Sequence, residues 1–322
     1  MRTQVLAQSS FTEAATAWLE SRKNHLGPRT IKDYGEMIDT LAEFFSELKL
    51  TEIGGDELRA YQKMRMVKAG ASRINRECST IQQMLKRIGR WQEVAPFYQA
   101  LPMPKESPHR RLTPEEEERL YRVGPRNPKW DVAYCAFCIS ANTTCGPGEL
   151  RHIRLMDIDW AENKIYIQPK GAKNNGRIRY IALNAIARKS FEYLFERAKK
   201  LGCCQSHHYL LPFRPKKGTY DPERPVLDWR YALREMLVAA EIENLSGYSF
   251  RHHCITKLAE NPRVSLETLK SIAGWVDPRI LKRYSHIHID AQRTALASLE
   301  AIVPKPVQRC GNDTPSRGKT RA

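Results

Sequence analysis

The chain has 322 residues, with 53 Lys and Arg against 36 Asp and Glu and a formal net charge of +17. That length suits two domains, and a content of 41% hydrophobic and 28% charged residues is globular composition that buries a core without disulfide or metal staples. No run of about 18 apolar residues occurs, which argues against a membrane-spanning helix, and the first residues lack the apolar core of a secretory signal. Eight cysteines without framework spacing fit a reducing cytoplasm. The positive balance points to a polyanionic partner, nucleic acid before an anionic membrane surface.

The first hundred residues read as helical. Phe11, Ala15, Trp18 and Leu19 share a helical face within residues 11–26. Pro28 opens a stronger stripe of Ile31, Tyr34, Ile38, Leu41, Phe44, Phe45 and Leu48. Gly54-Gly55-Asp56 breaks the chain and supplies an N-cap for a third helix carrying Leu58, Tyr61, Met64 and Val67, stopped at Gly70. A fourth, from about residue 72, carries Ile74, Cys78, Ile81, Leu85 and Ile88. Four amphipathic helices with short connections make a small bundle. The remaining positions of helices three and four are rich in cations: Arg59, Lys63, Arg65, Lys68, Arg73, Arg76, Lys86, Arg87 and Arg90. A solvated face explains one such helix; two in succession suit contact with phosphates, and Lys63, Arg73, Arg76 and Lys86 are the residues expected there.

Pro96, Pro102, Pro104 and Pro108 mark residues 95–112 as an extended linker between a helical domain, 1–94, and a second domain, 113–303. The second opens on Thr113-Pro114-Glu115-Glu116, a capping box with Pro at the first helical position. Residues 130–141 read as a buried helix, and helix is expected to continue from Glu149 to Met156. Residues 164–167 and 177–183 alternate as strands of a hairpin whose turn-rich tip runs from Pro169 to Gly176. Lys164, Lys170, Lys173, Arg177 and Arg179 give this hairpin five cations and no acid between residues 164 and 184. Such a ribbon enters a groove or reaches a phosphate, although lysines also protect an ordinary edge strand from aggregation. Helices are expected at 185–200, 226–240, 249–260, 265–273 and about 289–302, followed by a disordered basic tail, 304–322. The fold class is mainly α with a small β element.

Cys135 and Cys138, and Cys203-Cys204 with His207-His208, invite a zinc reading. The first pair sits in an apolar helical run, where Cys behaves as a small hydrophobe, and no second pair stands at zinc-knuckle spacing. No metal site is expected. Cys145 and Cys254 are read as packing residues. More chemistry lies in Ser249-Phe250-Arg251-His252-His253 and in residues 269–286. A guanidinium is a rigid fork that grips phosphate through two bonds. A tyrosine hydroxyl, with an ordinary pKa near 10, becomes a nucleophile where cations stabilise its phenolate and the charge on the attacked phosphate.

Gly274-Trp275, followed nine residues later by Tyr284-Ser285-His286, resembles the active-site signature of the tyrosine recombinase, or phage-type integrase, family. The resemblance covers about residues 9–300. It implies a helical core-binding domain over 1–94 and a mixed α+β catalytic domain over 113–303. It implies a site-specific recombinase that cuts and rejoins double-stranded DNA through a 3′-phosphotyrosyl intermediate, with neither cofactor nor metal, acting as a homo-tetramer on paired sites. Tyr284 would be the nucleophile, Arg251 the second family arginine, Trp275 the residue of the His/Trp position, and Lys170, before Lys173, the acid for the leaving 5′ oxygen. The helix 289–302 would be exchanged between protomers. Lys173, Arg177 and Arg179 would add DNA contacts. Two positions depart from the pattern. Tyr248 stands where the second box has histidine, and Gly146 stands where the first box has arginine, three residues before Glu149-Leu150. Arg151 and Arg154 replace that arginine only if they face inward. The competing reading is a catalytically impaired relative that binds DNA in a regulatory or architectural role.

Overall fold

The computed structural model describes residues 7–103, 110–169, 176, 178–261, 263–274 and 296. Lys170, Lys173, Arg177, Trp275 and Tyr284, the expected helix 289–302 apart from residue 296, and the tail 304–322 lie outside the described residues. The chain forms two compact units, Met1–Ser107 and Pro108–Ala322.

The first unit is helical. Helix α1, Phe11–Arg22, starts at Ser10, whose hydroxyl accepts from the Glu13 amide while the Glu13 carboxylate accepts from the Ser10 amide. Gly27 and Pro28 open α2, Pro28–Phe45. Helix α3, Gly55–Arg65, has Gly54 rather than Asp56 at its N-cap, with the Gly54 amide donating to the Glu57 carboxylate at 2.8 Å. Helix α4, Ala71–Arg87, and the short α5, Trp91–Val94, complete the set. The expected apolar stripes make one core, in which Phe45 packs against Phe11 and Tyr61 with ring centroids 5.6 and 5.2 Å apart. One stripe runs past its helix: Leu58 and Tyr61 are buried, but α3 ends at Arg65, and Met64 and Val67 are exposed.

Inside this core lies a carboxylate. Glu77 is fully buried, accepts from the Tyr61 hydroxyl at 2.7 Å, and pairs with Arg65 at 3.1 Å and Arg73 at 2.7 Å. Burial alone would raise its pKa; the hydrogen bonds from Tyr61, Arg73 and Arg65 outweigh that and hold it below the usual range. Arg65 and Arg73 are therefore structural partners of an internal charge, whereas Lys63, Arg76 and Lys86 are exposed. The segment read as linker begins as part of this unit. Leu101 exchanges hydrogen bonds with the Asn75 amide group at 2.8 and 2.9 Å, and the Gln99 carbonyl accepts from Gln62.

The second unit opens with α6, Pro114–Val123, capped by Thr113 and Glu116 as the sequence indicates. Arg110 pairs with Glu116 and Leu112 is buried, so the far end of the linker segment joins this unit. Helix α7, Asp131–Thr143, is buried nearly all round. Helix α8 spans only Pro147–Leu150. The helix expected through Met156 is absent, because the Leu155 and Met156 amides donate instead to the carbonyls of His208 and Ser206, and the Ile153 carbonyl accepts from Leu210. Strands β1, Ile158–Asp159, β2, Lys164–Ile167, and β3, Arg179–Ala182, form an antiparallel sheet in that order. Ile165 faces Ile181 and Ile167 faces Arg179 in its register. Helix α9, Ala185–Lys200, follows. A second ribbon, β4 Pro212–Phe213 with β5 Asp221–Pro225, has no periodic signature in the sequence. Helices α10, Arg230–Ala239, α11, Gly247–Ala259, and α12, Leu266–Ala273, complete the described unit. The first of these starts later than expected because the Val226 amide is drawn to the Leu211 carbonyl. No described helix is long and apolar enough to cross a membrane.

Two stability predictions follow from the buried carboxylates. Glu77→Ala leaves two guanidinium groups beside an emptied site and is expected to cost about 3–5 kcal/mol, read by urea unfolding of the full chain. The Arg110 guanidinium holds the Glu116 carboxyl at about 2, below its ordinary 4.5. A depressed folded pKa gives stability that is complete above the unfolded value and lost as pH falls through the folded one. The melting temperature should therefore fall between about pH 4.5 and 2, and Glu116→Gln should flatten that limb; an unchanged limb would refute the assignment.

Candidate active site

Of the expected catalytic residues, Arg251 meets the turn between α7 and α8, which carries Gly146. Helix α7 ends at Thr144, which takes a left-handed backbone with φ 61°. A non-glycine residue there is strained and needs support from its surroundings. The support is visible: the Thr144 hydroxyl donates to the Ile272 carbonyl at 3.0 Å, and its own carbonyl accepts from Arg251. Gly146 follows in extended backbone, φ −78°, and its amide donates to the Glu149 carboxylate at 2.9 Å.

Arg251 comes from the first turns of α11 and is only 2% exposed. Its Nη1 donates to Glu149 Oε2 at 3.1 Å and its Nη2 to the Ala273 carbonyl at 2.6 Å. It thus binds the last carbonyl of α12, one of the helix-end acceptors that lack an intrahelical donor. Gly274 comes next with φ 68° and ψ −138°, a conformation open essentially to glycine alone. The glycine of the Gly274-Trp275 pair is therefore required by the backbone that ends α12.

Arg179 departs from its sequence reading. It was expected among the DNA-facing cations of the hairpin, yet its side chain is only 6% exposed. Its Nη1 meets Glu149 Oε1 at 3.1 Å, its Nη2 meets Glu149 Oε2 at 3.3 Å, and its Nε donates to the Ile272 carbonyl at 2.7 Å. The cause is strand alternation. Arg179 and Ile181 lie on the same, inward face of β3, while Tyr180 and Ala182 face out. That signal was available in the sequence, since Arg179, Ile181 and Leu183 share one parity.

Tyr248 sits one turn before Arg251 on α11 and is 41% exposed, its ring 6.4 Å from that of His252. Arg151 and Arg154 are engaged away from the Gly146 turn. Arg151 donates to the Val226 carbonyl at 2.9 Å, and the Arg154 guanidinium lies 5.3 Å from the Tyr209 ring centroid. Cys145 is fully buried and its thiol is pushed up by that burial, as is Cys254, to about 11. Neither is a nucleophile.

Donor chemistry also bears on metals. Cys135 and Cys138 are buried in α7, and that burial pushes their thiols up to about 12 and 11. Among the described residues, one cluster has metal-ligand spacing: His207, His208 and Glu223, with ligand atoms within 4.8 Å of one another. His208 Nδ1 accepts from the Cys204 and Gln205 amides at 3.1 and 3.2 Å. That places the ring proton on Nε2, which faces Glu223 Oε1 at 3.4 Å. A ring in this tautomer offers a metal no lone pair at Nε2. The cluster is a hydrogen-bonded clamp between the 204–209 turn and β5.

The sequence profile described as the phage integrase family matches residues 110–290. No curated protein matches the chain. Among solved structures, the Tn1549 transposon integrase in complex with circular intermediate DNA is similar at 16% identity and a TM-score of 0.68, over 90% of this chain and 99% of that one. A lambda integrase fragment bound as a dimer to a core site is similar at 16% identity and a TM-score of 0.61, over 85% of this chain and 93% of that one. Lambda integrase is also solved as a tetramer on a Holliday junction, at 17% identity and a TM-score of 0.61, over 83% of this chain and 76% of that one.

Gly146 has no backbone requirement for glycine. A Cβ there would meet Arg251 Cδ at 3.5 Å and Glu149 Oε2 at 3.9 Å, both ordinary contacts. Gly146→Ala is accordingly expected to leave stability unchanged or raise it by up to about 1 kcal/mol, through loss of freedom in the unfolded chain. A clear drop in melting temperature would show the position to be closed.

Proposed function

Because the chain belongs to the phage integrase family, and so is a site-specific DNA recombinase, we propose that it cuts and rejoins DNA through a covalent bond between Tyr284 and a 3′ phosphate. The phenol oxygen attacks phosphorus and gives up its proton, the bond to the 5′ oxygen breaks, and Lys170 supplies a proton to that leaving oxygen. Arg251 binds the phosphate oxygens, Trp275 packs beneath the phosphate, and Tyr248 contributes its hydroxyl where the family has histidine. The observation that carries the reading is the convergence of Arg251, Glu149 and the helix end before Gly274-Trp275 on one turn.

Lys63, Arg76 and Lys86, exposed on the first unit, bind the DNA backbone together with Arg73, whose side chain keeps 39% exposure while paired to Glu77. Lys173 and Arg177 add contacts from the hairpin tip. The working form is a homo-tetramer on paired sites, with residues 289–302 as the exchanged helix. The DNA it recombines belongs to a mobile element.

The test is covalent trapping. Incubation with a duplex nicked beside the cleavage position is expected to give a protein–DNA adduct that survives denaturation and disappears in Tyr284→Phe, while DNA binding persists. Binding without an adduct under any condition would refute the enzyme reading and leave a DNA-binding relative, for which Gly146 would then be the sequence reason.

A further inference from the structure

Glu149 binds two arginines, and Arg251 is the only one of them that the catalytic proposal uses. Arg179 reaches the same carboxylate from β3 and continues to the Ile272 carbonyl, while Arg251 binds the adjacent Ala273 carbonyl. The two guanidinium groups thus hold the same two fixtures, the Glu149 carboxylate and the C-terminal end of α12. We propose that Arg179 is a positioning residue for strand cleavage: it fixes Glu149 and the end of α12, and through them sets both the Arg251 guanidinium and the turn at Gly274.

Three observations carry this. The side chain is 6% exposed and contacts Glu149 through both terminal nitrogens, so it acts on the site from behind. Its three donor nitrogens each have a partner on a different feature or atom: Glu149 Oε1, Glu149 Oε2 with the Thr144 hydroxyl at 3.4 Å, and Ile272 O. Only a planar fork serves all of them together; an ammonium on a flexible stem does not. Finally, Gly146 contributes no side chain to the turn, so β3 supplies the second guanidinium beside Glu149. Glu149 then shares its charge between two cations, and Arg251 is held by half of a carboxylate rather than neutralised by a whole one.

This inference rests on the strand-cleavage reading, and the wild-type control separates the two. With saturating nicked duplex, wild type should form the adduct. Arg179→Ala should bind the duplex with unchanged affinity but form adduct about 100-fold more slowly, the cost of misplacing a reacting group by about 1 Å. In an Arg251→Ala background the same change should add little further loss, since Arg179 acts through Arg251. Arg179→Lys keeps the charge without the fork, covers the case in which the alanine variant fails to fold, and should remain slow. A wild-type rate in Arg179→Ala or Arg179→Lys overturns the inference, and so do losses that simply add in the double variant. No adduct from wild type overturns the strand-cleavage reading and this inference with it.

Discussion

The second unit depends on one buried carboxylate. Glu149 ties together the Gly146 turn through a backbone amide, α11 through Arg251, and β3 through Arg179. Those arginines extend the tie to α12 by donating to its last two carbonyls. Cations are favoured at that end of a helix, because the unsatisfied carbonyls concentrate partial negative charge there. The strained φ of Thr144 persists because its hydroxyl and carbonyl are both enlisted in the same arrangement. A buried ion pair is weak evidence of net stability, since desolvation offsets much of its attraction. Its value here is geometric: four elements distant in sequence share one set of fixed donors and acceptors.

Much of this was legible in the sequence because it is written in periodicity and caps. The stripes on α1, α2 and α4, the Thr113 capping box and the buried helix α7 follow from apolar spacing and local hydrogen bonding, which neighbouring residues determine. The recombinase family was legible from the Gly274-Trp275 to Tyr284 spacing. What failed depended on distant partners. The 149–156 segment is diverted from helix by residues 206–210, which no local rule anticipates. The β4–β5 ribbon, with two prolines among the five residues of β5, carries no strand signature. Arg179 is a different kind of miss. Its parity with Ile181 points inward, whereas its charge points to the surface. The partner that makes an inward arginine affordable, Glu149, stands thirty residues away.

The positive charge of the chain reads differently once partners are known. A net +17 suggested broad cationic faces for DNA, yet several of those cations serve the interior. Arg65 and Arg73 neutralise Glu77, Arg110 neutralises Glu116, and Arg179 neutralises part of Glu149. The cations that stay exposed on the first unit include Lys63, Arg76 and Lys86. Salt screens such exposed charges within about 10 Å at 0.1 M, whereas buried pairs are screened much less. Salt should weaken DNA binding without loosening the folds that present it.

The two units use the same device for different ends. In each, a buried glutamate holds two arginines from separate segments, Arg65 and Arg73 on Glu77, Arg179 and Arg251 on Glu149. The difference lies in exposure. The arginines of the first pair keep 16% and 39% of their side-chain surface open, those of the second only 6% and 2%. An arginine with an open edge can turn spare donors to a passing phosphate and still keep its carboxylate, which suits a surface that follows a backbone without reading sequence. A closed arginine can do so only at one fixed place, after the surrounding turn has admitted the phosphate. That restriction is what strand cleavage needs, because the charge must meet the one phosphorus at which bonds change and no other.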